Sequence, residues 1–143
     1  MGGHDRDPAA TRMTTYLLIA LGGALGSVGR YWAAELVARW MGNQFPYGTL
    51  LVNVTGSFLI GLFAAGTGSD GRWPASSSVR VFLMVGVCGG YTTFSSFSLQ
   101  TLSLLREGRP LQAGLNILGS VALCLAAVWL GHLAAVGWPG RNG

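Results

Sequence analysis

Four long segments with almost no charged residues occupy most of this 143-residue chain. They cover residues 13–37, 47–68, 81–105 and 111–136. A membrane-spanning helix needs roughly 20 mostly apolar residues. Spans must be helices or closed barrels, because lipid cannot satisfy backbone polar groups, and these segments are too continuously apolar for barrel strands. The pattern predicts an all-α membrane protein with four transmembrane helices.

Composition excludes several other classes of protein. Hydrophobic residues make up 50% of the chain and charged residues 10%, whereas soluble domains carry about a quarter charged residues. The net charge of +4 comes from arginines that stand singly or in pairs between apolar segments. No nucleic-acid partner is therefore expected. Cys88 and Cys124 lie inside apolar segments, where small packing residues are a better interpretation than disulfides.

The predicted organisation is a single membrane domain between two tails. We expect a disordered N-terminal tail over residues 1–12, a four-helix transmembrane domain over 13–137 and a C-terminal tail over 138–143. Met1 and Met13 both remain candidate translation starts. The expected location is the cell (plasma) membrane, as a multi-pass protein in contact with lipid.

The arginines give almost no preference for one orientation in the membrane. With four spans, one side of the membrane would carry residues 6, 12, 72, 80 and 141, and the other side residues 30, 39, 106 and 109. Five arginines against four is a weak signal for the positive-inside rule. Such a chain can insert both ways, and two opposite copies could then pair as an inverted repeat.

Polar residues inside the first two spans are candidate functional groups. Arg30 is either an interfacial anchor or a positive charge at the mouth of a water-filled vestibule, where it would concentrate anions. Thr49, Asn53 and Ser57 are four residues apart and share one helix face. The Asn53 amide is either an interhelical hydrogen-bonding group or a donor to a transported anion. The spacing alone slightly favours the interhelical role.

The third span contains the least ordinary pattern. Adjacent Gly89 and Gly90 favour a break near the middle of the helix, and freed carbonyls at such a break can bind a cation. Phe94 and Phe97 follow among hydroxyl residues, an unusual setting for simple packing. The positive edge of a phenyl ring could contact an anion without holding it tightly. A polar stripe runs along the same helix through Thr93, Ser96, Gln100 and Ser103.

The fourth span adds a weaker polar face and no catalytic pattern. Asn116 and Ser120 are one turn apart, with Cys124 next on that face, and His132 lies near the helix end. No metal-ligand spacing, nucleophile with a base or phosphate loop occurs in the sequence. The chain is therefore not expected to be an enzyme.

Three motifs together resemble the Fluc/CrcB family of fluoride channels, over about residues 14–135. They are Gly22-Gly23-x-x-Gly26-x-x-x-Arg30-Tyr31, Phe45-Pro46-x-Gly48-Thr49-Leu50-x-Val52-Asn53-x-x-Gly56-Ser57-Phe58, and Gly89-Gly90-Tyr91-Thr92-Thr93-Phe94-Ser95-Ser96-Phe97-Ser98. The combination of the second and third motifs is highly specific.

The resemblance implies a fluoride-selective channel that exports fluoride passively from the cytoplasm. It implies an antiparallel, dual-topology dimer with two narrow pores. The fluoride pore would be lined by Asn53, Phe94, Phe97, Thr49, Ser96, Thr93 and Ser120. Arg30 would be the vestibule arginine. A structural sodium ion would be held between subunits by the backbone carbonyls of Gly89 and Thr92.

Two departures from the family pattern leave the partner open. The family usually has Glu where this chain has Gln100, and often Tyr where it has Asn116. This chain therefore forms either a homodimer or a heterodimer with a related chain. The alternative function is that of a proton-coupled small multidrug exporter, also a four-helix dual-topology dimer. Such an exporter needs a membrane-embedded carboxylate, and only Glu35, near a helix end, is available.

Overall fold

The computed structural model describes residues 8–137, and these residues form an all-helical bundle with four spans. The first span is α1 (Pro8–Met41), the second is α2 (Tyr47–Gly66) and the fourth is α6 (Pro110–Val136). The third span consists of α3 (Ser77–Arg80), a π-helical segment (Val81–Cys88), α4 (Gly89–Tyr91) and α5 (Phe94–Arg106). Four helical spans at these places confirm the architecture predicted from hydropathy.

The ends of the chain differ in part from the prediction. Helix α1 begins at Pro8, so residues 8–12, which were assigned to a disordered tail, are helical. The rest of that tail, residues 1–7, and the whole C-terminal tail, 138–143, lie outside the described residues.

Glycines allow the helices to approach each other closely. Helix α2 packs on α6 through Gly61, which faces the Val128 carbonyl, and through Gly131, which faces the Phe58 carbonyl. A side chain at any such position would collide with backbone atoms of the neighbouring helix. Small residues that permit backbone contact are the usual interface of membrane helices, because lipid supplies no hydrophobic drive for association.

The third span packs on α1 by the same device. A Cβ atom at Gly22 would lie 2.9 Å from the Gly86 Cα atom, and one at Gly90 would lie 2.5 Å from the Gly23 carbonyl oxygen. Gly86 and Gly90 therefore serve helix packing and hold the first half of this span against α1. Gly89 is exposed and has no atom of α1 within 4 Å of an added Cβ.

The helix break is confirmed, but it lies beyond the glycines. Gly89 belongs to α4 and has helical dihedral angles, with φ −64° and ψ −36°. The chain becomes extended at Thr92 (φ −80°, ψ 157°) and Thr93 (φ −152°, ψ 111°). The break thus lies two residues past the glycine pair that was expected to mark it. Contacts from α2, described below, stabilise it.

Most large apolar side chains point outward from this bundle. The fully buried large side chains among the described residues are only Val52 and Cys88, whereas Leu17, Trp40 and Leu118 are exposed. An outward apolar surface suits a chain whose solvent is lipid and whose helices meet through small residues.

Candidate ion pathway

The side chain of Asn53 pairs with the backbone exposed by the helix break. Its Oδ1 atom accepts a hydrogen bond from the Thr93 amide at 2.7 Å, and its Nδ2 atom donates to the Thr93 carbonyl at 3.0 Å. An unpaired backbone group in the membrane would cost several kcal/mol, roughly. Asn53 therefore replaces the helical hydrogen bonds that Thr93 has lost. Its second Nδ2 proton remains for another acceptor.

Thr93 also begins the second half of the broken helix. Its Oγ1 atom accepts a hydrogen bond from the Ser96 amide at 3.2 Å and contacts the Ser96 hydroxyl at 3.0 Å. This is an N-cap, which satisfies one of the free amides at the start of α5. The helix therefore begins deep in the span, where its N-terminus carries partial positive charge.

Phe94 and Phe97 meet beside this break but differ in burial. Their ring centroids lie 5.3 Å apart, with the planes tilted by 44°. Phe97 is 9% exposed, whereas Phe94 is 77% exposed. Phe97 is therefore part of the packed bundle, and Phe94 presents its ring to the outside of the single chain.

A groove of about 310 Å³ joins these groups, and we call it the aromatic groove. It contains five of the predicted pore residues: Asn53, Thr93, Phe94, Phe97 and Ser120. Ser57 and Cys124 also line it, together with Gly56, Ile60, Thr92 and Val121. Residues from α2, the broken helix and α6 thus meet at one place.

The other predicted pore residues and the predicted vestibule arginine line a second space, the inner cavity, of about 270 Å³. It contains Arg30, Thr49, Thr93 and Ser96, and also Gln100 from the polar stripe. A larger open space of about 570 Å³, the mouth, lies next to it and shares Tyr31, Thr49 and Gln100 with it. Thr93 lines both the inner cavity and the aromatic groove. Neighbouring spaces therefore share lining residues.

Asn116 has an interhelical role in the single chain. It is 2% exposed, and its Nδ2 atom donates to the Thr101 hydroxyl at 2.9 Å, which links α6 to α5. Ser120 donates to Asn116 Oδ1 at 3.5 Å and lies at the edge of the groove. Thr101 was not predicted as a site residue from the sequence. Its place four residues after Phe97, on the buried face of α5, was the available signal.

The break also changes the surroundings of the two carbonyls predicted to hold sodium. In a continuous helix the Thr93 amide would donate to the Gly89 carbonyl, but here it donates to Asn53. Thr92 has an extended conformation, so its carbonyl leaves the helical direction. Neutral carbonyl oxygens of this kind are suitable ligands for a hard monovalent cation. The residues present therefore fit a sodium ion.

Four spans, a broken third helix and a polar path beside an aromatic pair define a multi-pass membrane protein of the transport class. The profile of the family described as CrcB-like protein, Camphor Resistance (CrcB), matches residues 17–132. The chain belongs to the CrcB family. It is a protein of the cell membrane, with four apolar helices long enough to cross it.

Curated relatives match over nearly their full length. A protein of Opitutus terrae named fluoride-specific ion channel FluC is 62% identical over 131 residues, which cover 92% of this chain and 99% of the relative. Proteins of the same name from Paramagnetospirillum magneticum and Methylocella silvestris are 58% and 56% identical. The aligned regions cover 96% of the Paramagnetospirillum protein and 92% of the Methylocella protein, and 86% and 85% of this chain. These names describe channels rather than enzymes.

Proposed function

We propose that this chain is a fluoride-selective channel that lets fluoride leave the cytoplasm passively, as the names of its relatives indicate. Supporting the proposal, the described chain places hydrogen-bond donors and phenyl rings along one path, and no carboxylate lines the inner cavity or the aromatic groove. Fluoride is small and strongly hydrated, so a pore must replace its water with donors.

Each part of the path has a separate task in this mechanism. Arg30 attracts the anion into the inner cavity, where the hydroxyls of Thr49 and Ser96 replace part of its water. The free Nδ2 proton of Asn53 and the N-terminus of α5 then face the anion near the break. The edges of Phe94 and Phe97 interact with it weakly, which lets it move on.

The exposure of Phe94 is the observation that carries the dimeric part of the proposal. This phenyl ring lines the aromatic groove and is 77% exposed, so it forms an incomplete wall. A second copy of the chain, or a related chain, in the opposite orientation would complete it. The proposal therefore includes an antiparallel dimer, in which the groove becomes a closed pore.

The same dimer would hold the structural sodium ion. The carbonyls of Gly89 and Thr92 from both subunits would be its ligands, and the ion would supply a fixed positive charge that links the two breaks. Gly89 supports this, because it is exposed at the surface of the single chain. A high-resolution map of the dimer with density between these carbonyls is the expected result. A dimer centre without such density would contradict the sodium site.

The alternative exporter function has less support. Glu35 lies 2.7 Å from Arg39 in an ion pair and lines the mouth, away from the aromatic groove. A paired carboxylate near a helix end is a poor candidate for the proton-coupling group in the middle of the membrane.

Bacterial growth tests the proposed function in cells. A strain without its own fluoride exporters stops growing at fluoride concentrations that resistant strains tolerate. Expression of this chain should restore growth in fluoride, and an equal concentration of chloride should not distinguish the two strains. Growth arrest despite protein detected in the membrane fraction would contradict the proposal.

A further inference from the structure

The mouth is lined by two carboxylates and one arginine. Among the described residues, the charged side chains that line it are Glu35, Glu107 and Arg109. Unpaired carboxylates here would repel an approaching anion. Glu35 is paired with Arg39, and Arg109 is the arginine that pairs with Glu107.

Arg109 is held in place by its backbone. The turn after α5 has Gly108 in the left-handed region, at φ 71°, and the Arg109 amide donates to the Leu104 carbonyl at 2.9 Å. This arrangement is typical of a glycine-terminated helix end. Pro110 begins α6 directly afterwards. The backbone of Arg109 is therefore fixed by the turn at Gly108 before it and by the start of α6 at Pro110 after it.

The side chain of Arg109 makes two contacts at the mouth. Its Nη1 atom lies 3.1 Å from Glu107 Oε2, and its Nη2 atom donates to the Gln44 carbonyl in the loop between α1 and α2. The side chain is 24% exposed, less than the 57% of Glu107. Arg109 therefore neutralises Glu107 and links two loops at the rim.

From this geometry we propose that Arg109 is a second anion-attracting residue, which sets the rate at which fluoride reaches Arg30 and the inner cavity. The inference rests on the proposed function. Its physical basis is the local charge at the mouth: Glu35 is paired with Arg39 and Glu107 with Arg109, so removal of Arg109 leaves the Glu107 carboxylate without a compensating charge. Fixed charge at an opening changes the local concentration and arrival rate of ions.

The experiment measures initial fluoride efflux from liposomes that contain the purified chain, at subsaturating fluoride. At about 10 mM ionic strength, Arg109→Gln should lower the flux by about threefold to tenfold, whereas at about 1 M salt it should stay within about twofold of the unmodified chain. Arg109→Lys retains the charge without the forked contacts and should conduct normally. The double variant Arg109→Gln with Glu107→Gln should recover most of the lost flux at low salt.

Arg106→Gln is the matched control. It removes the same charge from the same end of α5, but Arg106 does not line the mouth, so its flux at low salt should fall clearly less than that of Arg109→Gln. If Arg109→Lys and the double variant were as slow as Arg109→Gln at both salt concentrations, the residue would act only as a tether and the inference would be wrong. A salt-independent normal flux in Arg109→Gln would also overturn it. Absence of flux from the unmodified chain would instead refute the proposed function on which it rests.

Discussion

The side-chain amide of Asn53 occupies both backbone hydrogen-bonding groups of Thr93, with contacts of 2.7 Å and 3.0 Å. One side chain on α2 thus stabilises the interruption of the third span. The sequence left two roles open for Asn53, an interhelical bond or a donor to an anion. The contacts confirm the interhelical bond, and the remaining Nδ2 proton leaves the second role as part of the proposal.

Substitution of Asn53 should therefore affect both stability and transport. Asn53→Ala leaves the Thr93 amide and carbonyl without partners and should destabilise the folded protein by about 2–6 kcal/mol, at roughly 1–3 kcal/mol for each buried unpaired group. Asn53→Asp retains the acceptor for the Thr93 amide but adds a negative charge to the groove. It should lose fluoride flux, and it should also lose stability, because a carboxylate oxygen would face the Thr93 carbonyl in place of the donor.

Thermal unfolding in detergent and liposome flux measure these two effects. Asn43→Ala, in the loop before α2, is the control and should leave both unchanged. Normal stability of Asn53→Ala would show that the paired contacts with Thr93 do not hold the break.

The two phenylalanines should respond differently to substitution. Phe94→Ile removes a ring that is mostly exposed in the single chain, so the stability of the subunit should change by less than about 0.5 kcal/mol. Phe97→Ile changes a buried side chain and should cost about 1 kcal/mol. Both should reduce fluoride flux, because the positive ring edge is lost while apolar bulk remains.

Flux and unfolding are measured side by side for these variants. Phe58→Ile is the control, since Phe58 lies on α2 but does not line the groove. Normal conduction by both the Phe94 and the Phe97 variants would mean that the rings only pack.

Glycine substitutions should separate close packing from general helix preference. An added methyl group at Gly90 would lie 2.5 Å from the Gly23 carbonyl oxygen, so Gly90→Ala should prevent normal packing of α1 on the third span. Gly119→Ala has no atom within 4 Å of the added carbon and should be neutral or more stable by about 0.5–1 kcal/mol. Recovery of folded protein by size-exclusion chromatography compares them. Equal recovery would contradict the tight contact at Gly90.

Insertion in two orientations is expected from the balanced arginines and from the incomplete groove. Two C-terminal fusions of the chain test this, one to a reporter that is active only in the cytoplasm and one to a reporter that is active only outside it. Both should give signal if the chain itself inserts in both directions. A single orientation would exclude the homodimeric arrangement, and the heterodimer would then require a related chain of opposite orientation. If the chain inserts in a single orientation and no related chain of opposite orientation is encoded beside it, both dimeric arrangements are ruled out.

Hydropathy was sufficient to predict the four spans, because the apolar segments are long and lipid permits only helices there. The position of the break was not predictable in the same way. It depends on Asn53, which is 40 residues from Thr93 along the chain. Gly90 has a different role, the close contact of its helix with Gly23 on α1.

The candidate path was predictable by residue type but not in its arrangement. The polar residues of the spans were identified individually, and the structure groups them around two spaces that share Thr93. The contrast between buried Phe97 and exposed Phe94 follows from how α5 packs, which a spacing of three residues does not determine. Thr101 was missed because its role depends on its partner Asn116 on another helix.

Halide flux through the purified chain tests the central claim most directly. Liposomes that contain the chain alone are loaded with equal concentrations of fluoride and chloride, and the release of each ion is measured with an ion-selective electrode. The path of neutral donors and ring edges predicts fluoride release with no chloride release above that of empty liposomes. Chloride flux comparable to fluoride flux, or no fluoride flux from correctly folded dimers, would contradict the account.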